Sequence, residues 1–200
     1  MVQKLREKGI TDERILAAME QLPRHFFLDK AFEEWAYHDK PFPIACEQTI
    51  SQPYTVAFQT EILEIKKRQR VLEVGTGSGY QAAVLALIGA RVFTIERHRP
   101  LFEKARQMLQ QLGLGQVRCY HRDGYKGLPE FAPFDRILVT AGAPEVPQAL
   151  KDQLKIGGLL VIPVGENGQR MIRITRISED EWREEDFGRF RFVPLLGGTK

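Results

Sequence analysis

Apolar positions in the first third of the chain follow a helical period. Ile15, Leu16, Met19 and Leu22 recur behind the start signal Thr11-Asp12-Glu13, and Pro23 ends the run. Residues 24–50 lose that period and become aromatic and loop-rich, with Phe26, Phe27, Phe32, Trp35, Tyr37 and Phe42 beside Pro41 and Pro43. A second helix is expected over 54–67, with Val56, Ile62, Leu63 and Ile65 on its apolar side, Ser51 at its N-cap and Pro53 in its first turn. From Val71 the pattern alternates between short apolar runs and amphipathic stretches. Strands are expected at 71–74, 91–95, 117–120, 135–139 and 159–164, with helices at 79–88, 100–112 and 145–152. Such alternation specifies a mostly parallel, doubly wound α/β sheet with helices on both faces. The tail changes character: residues 170–177 interleave arginines with Met171, Ile172, Ile174 and Ile177. A charged stretch at 179–186 then precedes a last strand at 189–193, an antiparallel hairpin on the sheet edge.

The segment Val71-Leu72-Glu73-Val74-Gly75-Thr76-Gly77-Ser78-Gly79-Tyr80 carries the first chemistry. A buried strand runs into three glycines at alternate positions, and an apolar helix opens behind them. Glycines let the backbone pass close to a ligand, and the helix start presents unpaired N–H groups. A dinucleotide fingerprint requires a third glycine three residues after the second, where this chain has Tyr80. The spacing, with Glu73 two residues before Gly75, resembles instead the first motif of the Rossmann-like S-adenosylmethionine-dependent methyltransferases. The cofactor expected is therefore S-adenosyl-L-methionine. Its amino-acid end would lie against the loop.

In a doubly wound sheet the ligand lies outside the carboxyl ends of the strands. The second strand ends in Glu96, 21 residues after Gly75, placed to accept two ribose hydroxyl bonds and expected to have few structural duties. Asp123-Gly124 follows the third strand, the aspartate suited to an adenine amino group and the glycine to a ring lying on the backbone. After the fourth strand, Thr140-Ala141-Gly142 lacks the Asn/Asp-Pro-Pro-aromatic run usual in enzymes that methylate exocyclic nitrogens. Cys46 and Cys119 do not sit in the Pro-Cys pair that cytosine C5 methylation uses. The acceptor is then expected to be an oxygen.

Composition narrows the picture only modestly. Two hundred residues, 43% apolar and 28% charged, suit one soluble globular domain, and a net charge of +3 is too small to argue for nucleic acid. Glu179, Asp180, Glu181, Glu184, Glu185 and Asp186 offset the arginines of the tail, which reads as a solvated surface. Two cysteines imply no disulfide framework, and His25, His38, His98 and His121 lack metal-ligand spacing, so no metal is expected. The charged Met1–Ile10 stretch is not a secretory signal, no stretch has membrane-spanning length, and a cytoplasmic location is the expectation.

With the glycine loop, Thr49-Ile50-Ser51-Gln52-Pro53 carries a closer likeness. The chain resembles the protein-L-isoaspartate O-methyltransferase family over nearly its whole length. Pro23-Arg24-His25-Phe26-Phe27, Tyr37-His38-Asp39, Ile95-Glu96-Arg97 and Phe192-Val193-Pro194-Leu195 take part. The resemblance implies methyl transfer from S-adenosylmethionine to the free α-carboxylate of L-isoaspartyl residues in damaged proteins and peptides. It places the active-site serine on Ser51 and the cofactor contacts on Thr49, Ile50, Ser51, Glu73, Gly75, Gly77, Gly79, Glu96, Asp123 and Gly124. It implies one domain: an N-terminal helical, substrate-covering segment (1–67), a cofactor-binding core (68–165) and a C-terminal hairpin (166–200). The protein is expected to act as a monomer without nucleic-acid or membrane partners. Ala45-Cys46-Glu47-Gln48 departs from the Gly-x-Gly-Gln usual in bacterial members, a change expected to stiffen or reshape the loop over the substrate. Two alternatives stay open: methylation of another acceptor such as RNA or a small molecule, and a non-catalytic cofactor-binding protein of this fold.

Overall fold

The computed structural model describes residues 1–166 and 168–200. Two short helices, α1 (Val2–Glu7) and α2 (Glu13–Gln21), open the chain, and the Asp12 carboxylate caps α2 by accepting the Arg14 N–H. The aromatic stretch folds into two 3-10 turns, Arg24–Phe27 and Lys30–Trp35, followed by β1 (Phe42–Pro43) paired antiparallel with β2 (Thr49–Ile50). Helix α3 spans Pro53–Ile62 and differs from expectation at both ends. Its N-cap is Gln52, because Pro53 with its fixed φ and missing N–H occupies the first helical position; Ser51 caps nothing. It stops near Ile62 because sheet arginines take its last carbonyls. Arg173 Nη1 donates to Ile62 O at 3.0 Å and Arg136 Nε to Leu63 O at 2.7 Å.

The alternating core follows as β3 (Arg70–Val74), α4 (Tyr80–Leu87), β4 (Arg91–Glu96), α5 (Arg99–Gln111), β5 (Arg118–His121), β6 (Phe134–Val139), α6 (Gln148–Asp152), β7 (Leu154–Val164), β8 (Gln169–Arg176) and β9 (Trp182–Phe190). Seven strands form one sheet in the order β5-β4-β3-β6-β7-β8-β9. The pairs from β5 to β7 are parallel, and β7–β8 and β8–β9 are antiparallel. This is the Rossmann-like doubly wound sheet with an antiparallel C-terminal edge. Strand β9 begins in the charged stretch and ends at Phe190, so it overlaps the expected 189–193 only at Arg189 and Phe190. It is held by cross-strand ion pairs, Arg173 forking onto Glu185 at 3.0 and 2.9 Å and Arg170 pairing with Asp186, and by Trp182, Phe187 and Phe190 packed on the core.

Two apolar layers sandwich the sheet. Val71, Leu138 and Val161 pack under α1–α4, while Leu72, Val74, Ile137, Val139 and Leu160 pack with Leu150 of α6, Leu128 and Leu195. Strand β3 is central: the chain runs outward through β4 and β5, then returns to β6 on the other side of β3. That reversal opens a crevice beyond the carboxyl ends of β3 and β6.

Candidate active site

The crevice is an open cleft lined by the loop after β3, Glu96–His98, Gly124, Thr140 and the segments 48–51 and 193–196. Its floor is the loop after β3. Gly75, Gly77 and Gly79 all have positive φ (101°, 53° and 89°), a conformation that side chains resist. Gly75 is tied down on both sides: its N–H donates to Ile95 O at 2.9 Å, and its carbonyl accepts from Thr140 Oγ1 at 2.8 Å. A Cβ on Gly75 would come within 2.4 Å of that same hydroxyl. Gly77 faces the cleft, and its N–H donates to Glu96 Oε2 at 2.8 Å. Gly79 does a different job from the one its motif suggests. It precedes α4 and lies against α5, where an added Cβ would meet Ala105 Cβ at 3.3 Å, and it does not line the cleft.

Glu96 ends β4 on the cleft wall. It is buried, and its two oxygens accept the N–H groups of Gly77 and His98 at 2.8 and 2.9 Å. The carboxylate is thus aimed before any ligand arrives, with lone pairs left for hydroxyl donors. It also closes the loop, a structural duty that a strand-end acid was not expected to carry. Glu73 sits elsewhere: fully buried inside β3, beneath the loop and outside the cleft lining, with neither oxygen hydrogen-bonded among the described residues. Burial raises its pKa to about 8, so it is mostly neutral at pH 7. Asp123 also stays off the cleft lining. Its oxygens accept the Tyr125 and Gly198 N–H groups at 3.0 and 2.9 Å, pinning the C-terminal segment over this end of the sheet. Gly124 does line the cleft, and any Cβ there would strike Val74 Cγ1 at 2.5 Å.

The opposite wall comes from the N-terminal segment, where Thr49, Ile50 and Ser51 all line the cleft. No hydrogen bond among the described residues engages the Ser51 hydroxyl, whereas its carbonyl is held by Arg24. That guanidinium is fully buried, donates to Ser51 O at 3.0 Å and Ala36 O at 2.8 Å, and lies 4.8 Å from the centroid of the Tyr80 ring. The position where a dinucleotide loop needs glycine is thus filled by a phenol that supports the arginine behind Ser51. The turn joining β1 to β2 keeps left-handed backbone at both central residues, Cys46 (φ 60°) and Glu47 (φ 57°), and closes with Gln48 N–H on Ala45 O at 3.3 Å. The turn thus forms with a side chain at both of its positive-φ positions.

These residues suit an adenosine-bearing sulfonium ligand: a fixed carboxylate for the ribose, an apolar flank of Val74, Ile95 and Leu195, and a close-running loop. Comparison with known proteins decides the family. The model of the protein-L-isoaspartate(D-aspartate) O-methyltransferase family matches residues 1–200.

The chain belongs to that family.

A protein-L-isoaspartate O-methyltransferase of Christiangramia forsetii is 59% identical over 196 residues, covering 98% of this chain and 92% of the relative. One from Flavobacterium psychrophilum is 58% identical over the same shares. Among solved structures, a protein-L-isoaspartate O-methyltransferase superposes with a TM-score of 0.89 at 32% identity, covering 100% of this chain and 67% of the other. A putative family member from Plasmodium falciparum, in complex with S-adenosyl-L-homocysteine, gives 0.85 at 25% identity over 98% and 96% of the two chains. Against this family background, Arg24, Gln81 and Thr140 are the residues to which sequence reading assigned no part in the site. The partners of Arg24 and Thr140 lie far away in the chain, and Gln81 stands in the first turn of an otherwise apolar helix.

Proposed function

We propose that this enzyme transfers a methyl group from S-adenosylmethionine to the free α-carboxylate of L-isoaspartyl residues in damaged proteins, with Ser51 orienting the acceptor. The observation that carries the role of Ser51 is its unengaged hydroxyl on the cleft wall, its peptide clamped from behind by a buried arginine. When bound, S-adenosylmethionine supplies a methyl group on a sulfonium, already a good leaving group. A carboxylate is ionised at pH 7, so the protein needs no strong base. Tyr80 cannot serve as one, since burial pushes its phenol up to about 12. The protein's work is alignment and exclusion of water. Ser51 donates its hydroxyl proton in a hydrogen bond to the acceptor carboxylate and fixes its approach. Glu96 holds the ribose hydroxyls, Gly75 and Gly77 let the loop run close, and Gly124 with Leu195 forms the flat apolar flank for the base. Asp123 reaches the adenine amino group only through a lone pair left over from its two backbone bonds. Gly79 and Glu73 act behind this surface, packing α4 on α5 and filling the space under the loop.

Labelled methyl transfer to an isoaspartyl peptide, beside the matching aspartyl peptide and bulk RNA, tests the reading. Label on the isoaspartyl peptide alone is expected. Preferential labelling of RNA, or none of any acceptor, would overturn it.

A further inference from the structure

Two residues on the cleft wall, Tyr80 and Gln81, bury an oxygen with no hydrogen-bond partner among the described residues; the phenol can donate or accept, and the Gln81 amide oxygen only accepts. Gln81, the second residue of α4, is 7% exposed and lines the cleft, and its Oε1 has no hydrogen-bond partner among the described residues. Its Nε2 donates to Thr60 Oγ1 at 2.9 Å, and Thr60 Oγ1 donates to Val56 O at 2.7 Å. This chain settles which way the amide points. A hydroxyl has one proton, and Thr60 spends it on Val56, so the Gln81 atom facing Thr60 must be the donor nitrogen. Oε1 is then forced away from Thr60, and a buried carbonyl without a donor is costly to keep.

We propose that Gln81 Oε1 accepts a hydrogen bond from the α-ammonium of the methyl donor's amino-acid end. This rests on the reading of the cleft as an S-adenosylmethionine site. Around the loop, Val74 O already accepts the Thr140 N–H and Gly75 O the Thr140 hydroxyl, whereas no donor among the described residues reaches Gln81 Oε1. The first turn of α4 offers N–H donors suited to the α-carboxylate. An acceptor in that same turn suits the ammonium carried on the same carbon. Thr60 is the positioning residue that holds the amide in this orientation.

Calorimetric titration of the purified full chain with S-adenosylhomocysteine, and with its analogue carrying hydrogen in place of the α-ammonium, isolates the contact. Wild type is expected to prefer S-adenosylhomocysteine by roughly 10-fold or more, the range for a hydrogen bond to a charged group. Gln81→Leu should lose that preference while binding the deaminated analogue as wild type does. Gln81→Glu, which keeps an acceptor, should retain it and guards against a folding artefact in the leucine variant. Equal weakening of both ligands in Gln81→Leu, or an unchanged preference, would overturn the assignment. So would a raised KM for an isoaspartyl peptide with both nucleoside affinities unchanged, since the acceptor would then serve the substrate. Failure of wild type to bind S-adenosylhomocysteine at all would overturn the cofactor reading, and this inference with it.

Discussion

The loop after β3 and the turn before Ser51 ask the same thing of the backbone and answer it with different residues. Both hold several residues at positive φ on the rim of one cleft. After β3 every such residue is glycine; between β1 and β2 they are Cys46 and Glu47. At Gly75 the surrounding space explains the difference, whereas Gly77 has room for a Cβ and is favoured by its φ alone. At Gly75 a Cβ would lie 2.4 Å from Thr140 Oγ1, inside a network that joins β3, β4 and β6, so no side chain fits. Glu47 is exposed and Cys46 half-buried, so their side chains have room, and the only cost is the left-handed conformation itself. A glycine imposed by its neighbours cannot be exchanged; one imposed only by φ can be, at a price in stability.

Gly75→Ala should therefore have the largest effect. Strain at φ 101° and a collision with Thr140 together should cost about 3 kcal/mol or more and abolish cofactor binding, read by urea unfolding and calorimetry. Tolerance of alanine there would remove the packing half of the comparison. Glu96→Ala comes next. Losing two backbone bonds from a buried carboxylate should lower ligand-free stability by about 1–3 kcal/mol, and cofactor affinity should fall by roughly 1.5–3 kcal/mol. Loss of affinity with unchanged stability would show that the loop does not depend on Glu96. The smallest effect runs the other way: Cys46→Gly and Glu47→Gly should each stabilise the protein by about 0.5–1 kcal/mol, since relief of left-handed strain exceeds the entropy glycine adds to the unfolded chain. Destabilisation by either glycine would mean that the side chains contribute contacts of their own.

The same contrast accounts for what could be read from sequence. The glycine loop, Glu96 and the parallel core were legible because their requirements lie within a few consecutive residues. Ser51 was misread as a cap because the Gln-Pro that follows moves the cap one position on. Glu73 and Gly79 belong to the motif's spelling, yet they serve its packing, and only the burial of one and the contacts of the other separate that from ligand contact. Arg24 and Gln81 were silent because their partners lie 27 and 21 residues away. Strand β9 was hard to place because its apolar residues, Trp182, Phe187 and Phe190, do not alternate, and its pairing with β8 carries a register shift.

On the proposed reading the two regions divide the labour: the glycine loop would hold the donor, and the segment before α3 would present the Ser51 hydroxyl to the acceptor. Turnover of an isoaspartyl peptide by Ser51→Ala, measured with its S-adenosylhomocysteine affinity and unfolding midpoint, tests it most directly. Because Ser51 caps no helix, stability should change by less than about 0.5 kcal/mol and nucleoside affinity should hold, while kcat falls at least tenfold. Near-normal turnover by the well-folded variant would contradict the account.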